Sequence, residues 1–158
     1  VDLTAQKELL MQTLSGVAEL NDAAIGNLAP RLRMITLYAV AASENRLVAG
    51  TGNASEFYMG YFTKWGDGAY DLNPIADLTA TEVFEFLRYL KAPESIITKA
   101  PSAGLFEGQT DEDDMGVTYA AIDQYIRTGE ANEQDKAIID RYHSRSDHKR
   151  RQAKRYGD

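Results

Sequence analysis

The feature that most constrains this chain is the run Arg46-Leu47-Val48-Ala49-Gly50-Thr51-Gly52. A short apolar run closing in Gly-Thr-Gly reads as a buried strand of a parallel sheet, and the carboxyl end of such a strand is where α/β folds place ligands. Helical patterns lie on both sides. Upstream, Leu9, Leu10 and Leu14 predict a helix over 5–15 with Thr4 as its N-cap, weakened by Gly16, and Gly26-Asn27 marks a turn. From Arg31 to Ser43, Met34, Ile35, Leu37, Tyr38, Val40, Ala41 and Ala42 give an almost wholly apolar helix, expected to be buried on most sides.

Downstream, residues 54–61 suit a short helix. Thr79-x-x-Glu82 is a capping-box pattern leading into Val83, Phe84, Phe86, Leu87 and Leu90, with Pro93 as the stop. Residues 98–115 read as a long acidic loop, of a length that favours a lid or binding loop over a plain link. Helices over 117–127 and 132–144 follow. Helices outnumber strands, and the one clear strand sits between them, so the fold class is α/β.

With 158 residues, 44% of them hydrophobic, the chain can bury one substantial core, which predicts a single domain. It has no Cys, so disulfide scaffolds, thiolate zinc sites and cysteine catalysis are excluded. No stretch approaches the length of an apolar membrane span and no signal-peptide pattern opens the chain, so a cytoplasmic, soluble protein with no membrane or nucleic-acid partner is expected. The chain starts at Val1 without an initiator Met, as a processed product or a piece of something longer does. The net charge of −7 is uneven: residues 141–158 carry +5 and the remaining 140 carry −12. A basic segment on an acidic body is either a solvated tail or a contact for an anionic ligand.

Two segments concentrate chemistry. Gly50-Thr51-Gly52-Asn53-Ala54-Ser55-Glu56 combines small residues, a hydroxyl and a carboxylate at a strand end. Such a set suits a phosphate and a magnesium ion; the alternative is a tight strand–helix turn capped by Asn53. Tyr61 to Asp71 (Tyr-Phe-Thr-Lys-Trp-Gly-Asp-Gly-Ala-Tyr-Asp) mixes Lys, two Asp, two Gly and aromatic rings, as a binding loop does; the alternative is a surface turn with Asp67-Gly68 as its corner. Asp111 to Asp114 lack the spacing and the Gly of an EF-hand loop, and His143 and His148 are not at i, i+4, so neither reads as a metal site. There is no G-x-S-x-G of a serine hydrolase.

Taken together, Gly50-Thr51-Gly52-Asn53-x-x-Glu56 and Gly60-Tyr61-Phe62-Thr63-Lys64-Trp65-Gly66-Asp67-Gly68-x-x-Asp71 resemble the ammonia-dependent NAD synthetases. Gly26-Asn27-x-x-x-Arg31-x-Arg33-Met34, Lys99-x-Pro101-Ser102-Ala103, Asp111-Glu112-x-x-Met115-Gly116-x-x-Tyr119-x-x-Ile122-Asp123 and Asp147-His148-Lys149-Arg150-Arg151 match in order and spacing. The resemblance covers about residues 25–151, with a basic C-terminal tail over 144–158. It implies the C-terminal part of a single synthetase domain of adenine nucleotide alpha hydrolase-like (Rossmann-like) fold, a parallel sheet flanked by helices, here helix-rich and without its N-terminal strands.

The implied reaction makes NAD from deamido-NAD, ATP and ammonia, with Mg²⁺. ATP adenylylates the nicotinate carboxylate and pyrophosphate leaves; ammonia then attacks the acyl carbon and AMP leaves. By the same resemblance Thr51 and Ser102 contact ATP, Ser102 standing where the family commonly has Thr, and Glu56 binds Mg²⁺. Arg31, Lys64, Asp71, His148 and Lys149 contact deamido-NAD. Asp67 lies beside the reacting carboxylate, where it can orient or deprotonate ammonium. Family members are homodimers, which makes helix 31–43 a candidate interface.

Three departures stand out. Ala80 occupies a place where many members have a phosphate-contacting Lys, with Lys99 as a nearby substitute. Ala29-Pro30 replaces a commoner Lys-Ala. The family's Ser-Gly-Gly-x-Asp-Ser pyrophosphate loop is absent; Ser15-Gly16-Val17-Ala18-Glu19-Leu20 lacks its second Gly and its Asp. Two classes of function follow: part of an ATP-dependent ligase, inactive as these 158 residues alone, or a catalytically dead remnant that dimerises or binds nucleotide.

Overall fold

Asp2 accepts hydrogen bonds from both the amide (2.9 Å) and the hydroxyl (2.7 Å) of Thr4, so the first helix, α1 (Thr4–Ser15), starts one residue earlier than an N-cap at Thr4 allows. The Asn21 side chain caps α2 (Asp22–Gly26) by accepting from the Ala24 amide. The third helix, α3 (Leu28–Ser43), carries Pro30 in its first turn, where the missing N–H costs nothing. These helices belong to one of two compact units, Val1–Gly52 with Phe62–Pro74; the other is Asn53–Tyr61 with Ile75–Asp158. The computed structural model describes residues 1–104, 108 and 110–157. Leu105, in the acidic loop, and Asp158, in the basic tail, lie outside the described residues.

In the first unit α3 packs against α1 and α2. The expectation that α3 is buried on most sides is wrong: only Ala41 is buried, while Ile35, Leu37 and Val40 are 58%, 55% and 50% exposed. An apolar sequence all round a helix makes every side able to pack, but it does not supply neighbours on every side.

Beyond α3 the chain turns at Asn45 (φ 52°) and extends. Here the expected strand is a single parallel bridge, Ala49 to Leu72. The Gly50 amide donates to the Leu72 carbonyl at 2.7 Å and the Asp71 amide to the Val48 carbonyl at 2.9 Å. A strand needs a ladder, and among the described residues only this neighbouring segment pairs with the run. The ring of Tyr70 lies against Gly50, where a Cβ would fall 2.5 Å from it, so only glycine permits the approach.

The second unit is helical: α4 (Ala54–Met59), α5 (Ala80–Tyr89), α6 (Glu94–Ile97), α7 (Asp111–Met115), α8 (Tyr119–Thr128), α9 (Glu133–Arg145) and α10 (Asp147–Arg150). Its core is Met59, Ala80, Met115, Val117, Tyr119, Ile122 and Ile139. Short helices of this kind depend on their caps. Asn53 and Glu56 form a reciprocal capping box at α4, and the Glu82 carboxylate accepts from the amide and hydroxyl of Thr79 at α5, as the sequence pattern predicts. Thr110 caps α7, which makes the far end of the expected 98–115 loop helical.

A buried polar network ties three of these helices together. Ser55 donates a short hydrogen bond to the Asp123 carboxylate and accepts from the Ala80 amide at 2.9 Å. The other Asp123 oxygen accepts from the Thr81 amide at 2.8 Å. With Glu82, these groups satisfy the first N–H groups at the start of α5, among them the buried amide of Ala80.

Candidate functional site

In the first unit, Thr63 organises the loop from Phe62 to Asp71. Its hydroxyl donates to the Asn27 side chain (2.5 Å), its carbonyl accepts from the Gly66 (2.9 Å) and Gly68 (3.2 Å) amides, and its amide donates to Asp67 (3.0 Å). The loop therefore turns tightly over residues 64–68, and Gly66 sits so close to Pro30 that a Cβ would approach it to 2.9 Å. The turn forces Trp65 into the left-handed region (φ 60°), an uncommon conformation for a bulky residue, and leaves its indole 61% exposed. The Lys64 ammonium lies 5.6 Å from the centre of that ring, and Arg31 donates to the Lys64 carbonyl at 3.3 Å. Two cations and a presented aromatic face thus share one corner, with the exposed Asp67 carboxylate in the same turn.

Asp71 is positioned differently. It accepts from the Val48 amide at 2.8 Å and from the Tyr38 hydroxyl at 3.4 Å, fastening the extended run to the loop and to α3. Burial, and then the Asp71 charge, push the Tyr38 phenol above its ordinary range. Thr51 follows Gly50 on the exposed end of the run, and the Asn73 side chain donates to the Gly52 carbonyl at 2.8 Å.

Glu56, Ser102, His148 and Lys149 belong to the second unit. One Glu56 oxygen accepts from the Asn53 amide at 2.9 Å, which fixes that carboxylate at the start of α4. Mg²⁺ is commonly held by one or two carboxylates together with substrate phosphates, and Glu56 fits that donor set as one hard ligand. Among the described residues no three His, Cys, Asp or Glu side chains converge on a metal position. The exposed Ser102 hydroxyl accepts from the Gly104 amide at 3.1 Å.

The basic end is more than solvated charge. Lys149 donates to the Gly60 carbonyl (2.7 Å), Ser146 to the Met59 carbonyl (3.2 Å) and Arg150 to the Tyr58 carbonyl (3.1 Å). Carbonyls at the end of α4 have no partners within the helix, and cations favour that negative end. Gly60 closes α4 in the left-handed conformation (φ 66°) with Ser146 against it. His148 is exposed.

Asp111 and Asp123 are buried carboxylates to which residue types alone give no role. Asp123 is 5% exposed and Asp111 4%. The available signal was periodicity: Asp123 shares the buried face of α8 with Tyr119 and Ile122, and a carboxylate on an apolar face requires partners.

A sequence model described as NAD synthase matches residues 1–156, nearly the whole chain and more than the motifs alone cover. The chain belongs to the NAD synthase family. Over 128 residues it is 60% identical to the NH(3)-dependent NAD(+) synthetase of Carboxydothermus hydrogenoformans, covering 81% of this chain and 53% of that protein. The solved structure of an NMN synthetase from Francisella tularensis superposes with a TM-score of 0.94 at 44% identity, covering 98% of this chain and 64% of that one. An NAD+ synthetase from Burkholderia pseudomallei gives 0.73 at 34% identity, covering 95% and 58%. This NAD synthase-family chain spans about half the length of the curated relatives it matches.

Proposed function

We propose that the chain is part of a ligase that amidates deamido-NAD with ammonia at the expense of ATP. The observation that carries this reading is the Arg31–Lys64–Trp65 corner beside Asp67. The two cations neutralise anionic groups of the acceptor, and the indole offers a face to its pyridine ring. Turning the acceptor carboxylate into an acyl adenylate solves a leaving-group problem. A carboxylate oxygen attacks the α-phosphorus of ATP and pyrophosphate departs; the nitrogen of ammonia then attacks the acyl carbon and AMP departs with that oxygen. Asp67 takes the proton that ammonium must lose before its nitrogen can attack.

Thr51 and Ser102 supply hydroxyls to ATP in this reading, and His148 and Lys149 add positive charge toward the dinucleotide, with Lys149 held in place through Gly60. Mg²⁺, with Glu56 among its ligands, supplies charge neutralisation on the ATP phosphates. Asp71 acts on the acceptor from a position fixed by Val48. The two units belong to a single synthetase domain, with the parallel sheet of the family completed in a longer polypeptide. The exposed Ile35, Leu37 and Val40 on α3 support a homodimer through that helix. Without a Ser-Gly-Gly-x-Asp-Ser loop to cradle pyrophosphate, these 158 residues alone do not turn over.

A second reading changes only the acceptor. The 0.94 superposition on an NMN synthetase favours a mononucleotide carrying the same nicotinate carboxylate. Full-length protein supplied with ATP, ammonium and either acceptor decides between them by the ratio of kcat/KM. Failure to amidate either acceptor refutes both readings.

A further inference from the structure

The segment Lys99–Ala103 carries Ser102, and its far end is hydrogen-bonded on both sides of Ser102 to one residue. Asp111 is buried although it is a carboxylate in an acidic stretch. Its Oδ1 accepts from the Ala103 amide at 2.8 Å, its Oδ2 accepts from the Tyr119 hydroxyl at 2.9 Å, and its own amide donates to the Pro101 carbonyl at 3.0 Å. The backbone on both sides of Ser102 is therefore tied to a single residue. Tyr119 anchors that residue in turn: it is 4% exposed and part of the core formed with Met115 and Ile122, and its amide donates to Glu112 at 2.7 Å.

We infer that Asp111 is a positioning residue, which with Tyr119 sets where the Ser102 hydroxyl meets the nucleotide. The inference rests on the reading that Ser102 contacts ATP. A loop hydroxyl helps bind a phosphate only if the backbone behind it is ordered before binding, because ordering it afterwards subtracts from affinity. A buried carboxylate accepting one backbone amide and one phenol is a stiff, fully partnered anchor of that kind. Burial and the nearby Asp111 and Glu56 charges hold the Tyr119 phenol far above its ordinary range, so it remains a donor throughout the working pH range.

The test pairs Asp111→Ala with Asp111→Asn and Tyr119→Phe in the full-length protein. Asparagine keeps an acceptor for Ala103 and turns a donor toward the Tyr119 oxygen, so it preserves the tie. Asp111→Ala is expected to raise KM for ATP about ten-fold and Tyr119→Phe about three-fold, with Asp111→Asn within about two-fold of wild type and KM for the acceptor unchanged in all three. A purely structural role lowers the folded fraction, and hence apparent kcat, without moving KM. Hydrogen exchange at the Ala103 amide gives a second readout that needs neither ATP nor turnover: it should accelerate in Asp111→Ala and stay slow in Asp111→Asn. Unchanged exchange in Asp111→Ala overturns the anchor, and unchanged KM for ATP with accelerated exchange overturns its role in binding. If wild-type protein consumes no ATP, the amidation reading fails, while the exchange experiment still decides whether the anchor exists.

Discussion

Replacing Asp123 by Ala removes the acceptor for two donors at once, the buried Ser55 hydroxyl and the part-buried Thr81 amide. Each donor loses a hydrogen bond to a charged group, worth about 1.5–3 kcal/mol, so the variant should lose about 4 kcal/mol of stability. Asp123→Asn keeps an acceptor for Thr81 and strands only the Ser55 proton, which predicts a loss of about 1 kcal/mol. For a chain of this size a urea slope of about 2 kcal/mol per molar converts these losses into midpoint shifts of about 2 M and about 0.5 M. The assay is urea unfolding followed by tryptophan fluorescence and by far-UV circular dichroism, with coincident curves required before the two-state arithmetic is used. An alanine variant within about 0.5 M of wild type, or an asparagine variant as unstable as alanine, refutes the claim that this network holds α4, α5 and α8 together.

Two other perturbations test local arguments. In Gly60→Ala the added Cβ falls 2.1 Å from the Ser146 Cβ at a φ of 66°, and the change should cost more than about 3 kcal/mol in thermal or urea unfolding. Adding Ser146→Gly relieves the overlap, so the double variant should be more stable than the sum of the single losses predicts, by about 2 kcal/mol; strict additivity contradicts the packing account. The second concerns alkaline pH. Tyr61 and Tyr119 are held above their ordinary value of 10.0, first by burial and then by neighbouring carboxylates. Above pH 10 the unfolded chain releases phenolic protons that the folded chain retains, so this stabilisation is complete below pH 10 and declines as pH rises beyond it. The urea midpoint should fall as pH rises above 10, and Tyr61→Phe should make the fall shallower; equal slopes contradict the assignment.

What the sequence made legible was mostly what is decided within a few residues. Thr79 and Glu82 are three apart, and their reciprocal contact depends on nothing distant, so the start of α5 was readable. The partners of Asp123 lie 68 and 42 residues away, and no local pattern names them. Only its position on the apolar face of α8 hinted that partners existed. The run ending in Gly50-Thr51-Gly52 is recognisable as extended, but whether it forms a ladder depends on neighbours and not on its own residues. For the same reason the sequence of α3 predicts burial that the structure does not show: composition states what a helix can bury, and the packing partners state what it does.

The candidate site divides in the same way. Residue types marked the segment that holds Lys64, Asp67 and Asp71, and the family resemblance added Arg31, while the structure shows what each side chain touches. Arg31 and Lys64 meet at the presented Trp65, Asp67 terminates the turn at Thr63, and Asp71 fastens Val48. Lys149 and Arg150, part of a segment whose composition also fits a solvated tail, donate to part-buried carbonyls at the end of α4. The ends of that helix therefore depend on two different motifs, the Asn53–Glu56 box at one end and the basic segment at the other.

The measurement that bears most directly on the functional reading is the fate of the acceptor carboxylate in the full-length protein. Incubation with ATP, ¹⁵N-ammonium and deamido-NAD should yield NAD labelled in its carboxamide, with AMP and pyrophosphate formed in equal amounts. The 158-residue chain under the same conditions should yield none. ADP and inorganic phosphate in place of AMP and pyrophosphate, or labelled NAD from the 158-residue chain alone, contradicts the account.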